Sequence, residues 1–332
     1  LAIGTIITMS STHWLMAWVG LELNTLSIIP IISKQHHPRS TEATTKYFLT
    51  QAAASAMLLF ASTMNAWQVG TWDISQMTHQ PACIMLTVAL SMKLGLAPLH
   101  FWLPEVLQGA SLSTALIITT WQKLAPLTLM FLTHNSLNPS ILMMMGLLST
   151  LIGGWGGLNQ TQTRKIMAFS SIAHLGWMTT VMALSPNLAL LNLALYLLMT
   201  ATTFIVLMLT SSKTITDLTT ASTLSPPITA LMMVLLMSLG GLPPLTGFMP
   251  KWLILQELTT HNFPATATIM AMSALLSLFF YLRLAYSSTL TSFPTTTNTP
   301  HKWRLSPKTP TYLMCTMFTL SILLLPVTPI LL

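Results

Sequence analysis

The chain has 332 residues, of which 52% are hydrophobic and only 6% are charged, and its mean hydropathy is +0.68. About a quarter of the residues in a soluble domain are charged, so this composition excludes a water-soluble globular protein and indicates an integral membrane protein. The formal net charge of +7 does not indicate a nucleic-acid partner, because no basic run is longer than two residues. Cys83 and Cys315 lie in separate apolar segments and form no pair motif, so they predict neither a disulfide framework nor a metal site.

Taken in chain order, eleven apolar stretches approach or exceed the length that crosses a bilayer, about 20 residues. Lipid offers the backbone no hydrogen-bond partner, so each stretch is expected to be helical. We predict an all-α polytopic membrane protein with one domain over residues 1–332, whose first helix is truncated. The predicted spans are 1–11, 13–33, 44–66, 82–103, 111–133, 139–158, 165–184, 187–209, 227–258 (broken), 264–288 and 310–330.

The loops between these spans are unequal in charge. Eleven antiparallel spans place nine cations on one side of the membrane, side A, and no lysine or arginine on the other, side B. This asymmetry follows the positive-inside rule and supports the number of spans. The tryptophans near span ends predict an interfacial aromatic belt: Trp14, Trp18, Trp67, Trp72, Trp102, Trp252 and Trp303. The side A cations are Lys34, Arg39, Lys46, Arg164, Lys165, Lys213, Lys302, Arg304 and Lys308.

Two spans carry the same pattern of helix-breaking residues. The segment GLAPLHFWLPE begins at Gly95 and the segment GLPPLTGFMPK begins at Gly241, 146 residues later. Five spans separate the two, so the second copy is inverted in the membrane, as in the inverted repeats of ion-coupled transporters. Pro98 and Pro244 lack an N–H and leave free the carbonyl groups of Leu94 and Gly240, which must face protein or water. An ordinary proline kink without a function is the alternative.

One glutamate and three lysines within the spans or beside these breaks are the main candidates for a functional site: Glu22, Lys93, Lys123 and Lys251. A lysine at the bilayer centre costs about 2.5–3.5 kcal/mol, so such residues require partners and a purpose. A buried lysine can lose and regain a proton, whereas an arginine cannot. These residues therefore predict proton transfer, and the alternative for each lysine is that its side chain extends to the membrane surface.

Relay groups are also expected near these four residues. His100 follows Lys93 by seven residues and shares its face only if the helix continues. Ser170, Ser171 and His174 share one helical face. The alternative for His174 is a hydrogen-bonded packing residue.

Five stretches carry a resemblance to a known family: GLELNTLSIIP, KLGLAPLHFWLPEV, TWQKLAPL, TRKIMAFSSIAHLGWM and SLGGLPPLTGFMPKW. The chain resembles the antiporter-like membrane subunits of respiratory complex I, in the mitochondrial form of a vertebrate, over essentially its whole length. The resemblance implies a proton-translocating subunit of the mitochondrial inner membrane whose basic loops face the matrix. It also implies that flavin, iron–sulfur clusters and ubiquinone are handled by other subunits, with no cofactor in this chain.

The resemblance further implies that Glu22 and Lys93 form the family's glutamate–lysine pair. Lys123 is then the central lysine, Lys251 the ionisable residue beside the second broken helix, and the serine–histidine stretch a neighbour of the water chain. The implied partners are other membrane-arm subunits, including a neighbouring antiporter-like subunit, and phospholipids such as cardiolipin. The chain departs from the family in resembling a version without the first three helices, and in having Gln160 and Gln162 where the family often has an acidic residue. A stand-alone cation/proton antiporter and a structural membrane scaffold are the alternative functions.

Overall fold

The computed structural model describes residues 1–34, 37–224, 226–289 and 311–327. Within these ranges the chain forms fifteen α-helices and two short 3-10 turns, at Trp121–Lys123 and Leu325–Val327. The helices are α1 (Ala2–Ser10), α2 (Trp14–Ser33), α3 (Pro38–Val69), α4 (Gln80–Leu94), α5 (Trp102–Gly109), α6 (Leu112–Thr119), α7 (Leu124–Leu132), α8 (Pro139–Gly157), α9 (Thr163–Met182), α10 (Pro186–Leu209), α11 (Ile215–Leu224), α12 (Pro226–Gly240), α13 (Phe248–Thr260), α14 (Pro264–Thr289) and α15 (Thr311–Leu323).

Six helical stretches of the described chain are long and apolar enough to cross a membrane. They coincide with six of the eleven predicted spans, and the other five predicted spans fall on shorter or more polar helices. The six are Trp14–Ser33, Pro38–Val69, Leu112–Leu132, Pro139–Gly157, Pro186–Leu209 and Pro264–Thr289.

Local sequence sets several helix ends. α3 begins at Pro38, six residues before its predicted start, because a capping box precedes its apolar face. The His37 ring accepts a hydrogen bond from the N–H of Arg39 at 3.2 Å, and the Ser40 hydroxyl accepts one from the N–H of His37 at 3.1 Å. Side-chain acceptors of this kind satisfy the free N–H groups of a first turn.

The helix α9 forms the centre of the bundle. Every residue from Ile166 to Met182 except Phe169 is buried, and α9 packs against α5, α8, α10, α13 and α14. Small residues allow this close approach, since a Cβ atom added to Gly176 would lie 2.3 Å from the Ser149 hydroxyl of α8. Polar groups on α9 are thereby enclosed by protein on all sides.

The predicted aromatic belt is partly wrong. Trp14 and Trp102 are 1% and 7% exposed and belong to the core, because each packs against helices that the sequence alone does not place beside it. Trp67 and Trp252 are exposed, as expected for a belt. Four residues singled out in the sequence lie outside the described residues: Lys302, Trp303, Arg304 and Lys308.

Candidate functional site

The helices that precede the two predicted breaks end with the same backbone geometry. α4 ends at Leu94 and α12 at Gly240, and the glycines that follow, Gly95 and Gly241, have left-handed φ angles of 78° and 80°. At both helix ends the glycine N–H donates to the carbonyl groups three and four residues earlier. The N–H of the leucine that follows the glycine donates to the carbonyl five residues before that leucine. This double closure is the Schellman motif, which favours glycine because a side chain is strained at positive φ. The repeated sequence therefore produces a repeated structure.

The second break holds a lysine. Lys251 lies in the first turn of α13 and is 9% exposed. Its ammonium donates a hydrogen bond of 2.8 Å to the carbonyl oxygen of Gly240, one of the groups that the sequence predicts to be freed by Pro244. The cation thus lies at the carboxyl end of α12, where the helix dipole favours positive charge.

The lysine beside the first break lacks such a hydrogen bond. Lys93 is in the last turn of α4 and is 6% exposed, and its ammonium has no hydrogen-bond partner among the described residues. Glu22 lies within electrostatic range of Lys93, but no ion pair joins them. The Glu22 carboxylate instead accepts a hydrogen bond from the Thr25 hydroxyl at 3.1 Å. Lys93 is therefore free to respond to a change of charge at Glu22.

A small cavity with a mixed polar and apolar lining is shared by Lys93 and Lys123. Its volume is about 20 Å³, which is enough for one water molecule. The polar side chains that share this cavity are those of Asn24, Thr25, Tyr47, Gln51 and Gln122.

Lys123 lies at an irregularity between α6 and α7. It ends the 3-10 turn Trp121–Lys123 and is 3% exposed. Its ammonium donates a hydrogen bond of 3.0 Å to the Tyr196 hydroxyl, and that hydroxyl donates one of 3.1 Å to the carbonyl oxygen of Thr119. The ammonium also lies 4.8 Å from the centre of the Tyr196 ring, close enough for a cation–π contact.

His174 is a further buried ionisable residue near Lys123 and Lys251. It is 7% exposed, its ring centre is 5.5 Å from that of Tyr196, and it is within electrostatic range of both Lys251 and Lys123. The predicted neighbours Ser170 and Ser171 are buried beside it, but their hydroxyls donate to carbonyl oxygens of α9 itself, at 2.8 and 2.7 Å. Both donors are thus used within α9, and the same hydroxyls also lie beside tyrosine hydroxyls, Ser171 beside Tyr196 and Ser170 beside Tyr281.

His100 does not join this group. The condition for it to share a face with Lys93 is not met, because α4 ends at Leu94 and His100 lies in the break before α5. His100 is 5% exposed and lines a separate groove of about 470 Å³ with Glu105, Trp155 and Lys165. It is absent from the lining of the cavity between Lys93 and Lys123.

The sequence did not point to Tyr196, Thr119, Gln51 or Asn24. Tyr196 carries the one signal that was available, since a tyrosine inside the apolar run NLALYLLM needs a partner for its hydroxyl. The polar residues of α2 and α3 carry no such signal, because their place at the cavity depends on how three helices pack.

One carboxylate, that of Asp217, lies outside the candidate membrane-spanning helices and accepts hydrogen bonds from backbone N–H groups. Asp217 in the first turn of α11 accepts hydrogen bonds from the N–H groups of Thr214 at 2.9 Å and Lys213 at 3.0 Å. The bond from Thr214 is the main reason that the pKa of Asp217 lies below its ordinary value. The carboxylate and the Thr214 hydroxyl, which accepts the N–H of Asp217, form a capping box.

Comparison with known proteins identifies the family of the chain. Residues 11–279 match the family model described as NADH:quinone oxidoreductase/Mrp antiporter, TM, and residues 278–332 match NADH dehydrogenase subunit 2 C-terminus. The NADH-ubiquinone oxidoreductase chain 2 of Salmo salar is 58% identical over 329 residues, 99% of this chain and 94% of that relative. The same chain of Varanus timorensis is 59% identical over 98% of this chain and 95% of the relative.

Among solved structures, a chain of respiratory complex I from Thermus thermophilus with bound aureothin is 25% identical. It superposes with a TM-score of 0.86 over 98% of this chain and 75% of that one. The chain belongs to the family of NADH:quinone oxidoreductase and Mrp antiporter membrane subunits.

Proposed function

We propose that this chain is a core membrane-arm subunit of respiratory complex I and translocates protons across the mitochondrial inner membrane. Electron transfer from NADH to ubiquinone, elsewhere in the complex, drives the translocation. Relatives that match nearly the whole chain are named as this subunit of NADH-ubiquinone oxidoreductase, which supports the assignment.

The observation that supports the proposal is a set of neighbouring buried ionisable groups. Lys93 and Lys123 line one cavity, and His174 lies within electrostatic range of Lys123 and Lys251. Three lysines at about 2.5–3.5 kcal/mol each on insertion scales amount to about 8–10 kcal/mol, comparable to the net stability of a typical protein. A chain that only filled space in the membrane gains nothing from this cost, whereas proton exchange requires such groups.

The proposal includes the role of each residue. Glu22 modulates Lys93, which exchanges protons with Lys123 through the cavity. Lys123 passes them along the central axis, and Lys251 exchanges them toward one exit. His174 lies where a proton moves between Lys123 and Lys251. His100, Ser170 and Ser171 act at most at the edge of this path.

The same proposal covers topology and surroundings. Residues 1–332 form one domain that crosses the membrane eleven times, with two discontinuous helices in inverted halves. Three of the side A cations, Arg39, Lys46 and Lys165, line one surface pocket, which supports a common, matrix-facing side. Other membrane-arm subunits, including an antiporter-like neighbour, and phospholipids such as cardiolipin surround the chain, and other subunits hold the redox cofactors.

The test is the variant Lys123→Met in the assembled complex, reconstituted into vesicles. We expect the protons pumped per electron to fall by the whole share of this subunit while the complex still assembles, because methionine keeps the volume of the side chain but carries no proton. Lys213→Met, which removes an exposed lysine, is the matched control. A normal ratio of protons to electrons in Lys123→Met refutes the proposed role.

A further inference from the structure

We propose that Tyr196 is a positioning residue for proton transfer at Lys123. The inference rests on the proposed function and adds to it a residue from α10. Tyr196 is fully buried, and its hydroxyl joins Lys123 to the backbone of α6.

The anchor of this hydroxyl is a carbonyl that the helix leaves unused. In a regular helix the N–H of Lys123 donates to the carbonyl oxygen of Thr119, four residues earlier. Here the N–H of Lys123 turns to the carbonyl oxygen of Thr120, at 3.4 Å, as part of the 3-10 turn. The Thr119 carbonyl oxygen accepts the Tyr196 hydroxyl instead. The irregularity that places Lys123 therefore also provides the acceptor that fixes Tyr196.

The direction of these hydrogen bonds has a chemical consequence. A phenol has one proton to donate, and Tyr196 gives it to Thr119, so the hydroxyl can only accept from Lys123. When Lys123 is a neutral amine, one of its N–H groups still points at Tyr196, and its lone pair must point elsewhere. The remaining directions lead to the cavity shared with Lys93 and to His174. Tyr196 keeps its own proton and does not carry one.

Three titratable groups surround the amine in this arrangement, each from a different helix. Lys93 faces it from α4 across the cavity, His174 from α9 and Tyr196 from α10. Among the described residues, the Tyr196 hydroxyl is the hydrogen-bond acceptor of the Lys123 ammonium. Without it the flexible lysine side chain loses its fixed orientation toward the next proton donor and acceptor, and proximity is a large part of any transfer rate.

The test compares two substitutions that remove only a hydroxyl. Tyr196→Phe removes the hydroxyl that joins Lys123 to Thr119, whereas Tyr281→Phe removes an equally buried hydroxyl that lies beside Ser170 and forms no hydrogen bond with Lys123. In complex reconstituted into vesicles, we expect Tyr196→Phe to lower the ratio of protons to electrons by at least half as much as Lys123→Met does. Tyr281→Phe should keep the normal ratio. A purely structural role lowers the amount of assembled complex but does not change the ratio.

A double variant separates the positioning role from other effects. If Tyr196 acts through Lys123, the double variant should have the same ratio of protons to electrons as Lys123→Met alone. The reason is that Tyr196 has no effect once the amine that it positions is absent. Additive losses overturn the proposal, and so does a normal ratio in Tyr196→Phe. Failure of Tyr196→Phe to assemble where Tyr281→Phe assembles also overturns it, since the residue is then structural. If Lys123→Met itself pumps normally, the proposed function fails first.

Discussion

The ammonium of Lys251 donates to the carbonyl oxygen of Gly240 at 2.8 Å, whereas Lys93, the lysine beside the equivalent break, has no hydrogen-bond partner among the described residues. The backbone is the same at the two glycines, but the lysines beside the breaks have different contacts. Lys251 is fixed to the end of the preceding helix, and Lys93 is left to the electrostatic influence of Glu22. The repeated motif therefore has one lysine fixed by a hydrogen bond and one without such a bond among the described residues.

The contact at Gly240 leads to a prediction for Gly241→Ala. A Cβ atom at Gly241 would lie 2.9 Å from both Cδ and Nζ of Lys251, so we expect the lysine to move off the Gly240 carbonyl. The positive φ also costs about 1–2 kcal/mol for a residue with a side chain. We expect lower stability together with a reduced ratio of protons to electrons, measured in the reconstituted complex.

Gly70→Ala is the matched control for this variant. Gly70 has nearly the same φ, 79°, but a Cβ atom there meets nothing within 4 Å. It should therefore show the same loss of stability with normal pumping. Equal ratios in the two variants would show that the position of Lys251 does not matter.

The breaks themselves were predictable because their causes are local. Glycine and proline act on the backbone of their own segment, so Gly95, Pro98, Gly241 and Pro244 predicted where helices end. The freed carbonyl of Gly240 and a lysine to meet it also lie within one short segment, eleven residues apart. The structure adds that Lys251 donates a hydrogen bond to the Gly240 carbonyl oxygen.

The partners of Lys123 were not predictable in this way. Tyr196 is 73 residues from Lys123 in sequence, and the cavity is lined by residues of several helices. Which faces meet depends on the packing of the whole bundle, and helical periodicity in a chain this apolar does not distinguish the face that meets lipid from the face that meets protein. The position of His100, in contrast, follows from a local signal. The predicted break ends α4 at Leu94, so His100 cannot share a helical face with Lys93.

A second prediction concerns Glu22→Gln. The substitution keeps an oxygen that accepts the Thr25 hydroxyl but removes the negative charge within range of Lys93. If that charge governs proton uptake at Lys93 with an effect of about 1.4 kcal/mol, coupled turnover slows about tenfold. Turnover and pumping measured together in vesicles provide the check.

Two further variants make the result for Glu22 specific. Glu257→Gln removes a partly exposed glutamate that lies 3.6 Å from His261, and it should leave coupling unchanged. Glu22→Gln combined with Lys93→Met should be no slower than Lys93→Met alone, because the carboxylate acts through the lysine. Independent losses in the double variant would contradict the pairing.

The third prediction concerns the start of α11. There the Asp217 carboxylate, in the first turn, accepts hydrogen bonds from the N–H groups of Lys213 and Thr214. Its pKa lies below the ordinary value in the folded chain, chiefly through the N–H of Thr214. A lowered folded pKa means that the contribution to stability is complete above the unfolded value, about 3.9, and is lost as the pH falls through the folded value. Protection of the α11 amides from hydrogen exchange should therefore show no titration of this group between about pH 8 and about pH 5.

Asp217→Asn should weaken that cap at neutral pH. An amide oxygen is a poorer acceptor than a carboxylate, and capping interactions contribute about 0.5–1 kcal/mol, toward the lower end at an exposed site. Amide exchange in α11 should become about two- to fivefold faster, since exchange through local opening follows the opening free energy. Asp73→Asn, the same change at another exposed aspartate, should leave α11 unaffected. Because Asp217 is not among the buried ionisable groups of the candidate site, protons pumped per electron should be normal in both variants, and a lower ratio in Asp217→Asn would extend the proton path to this loop.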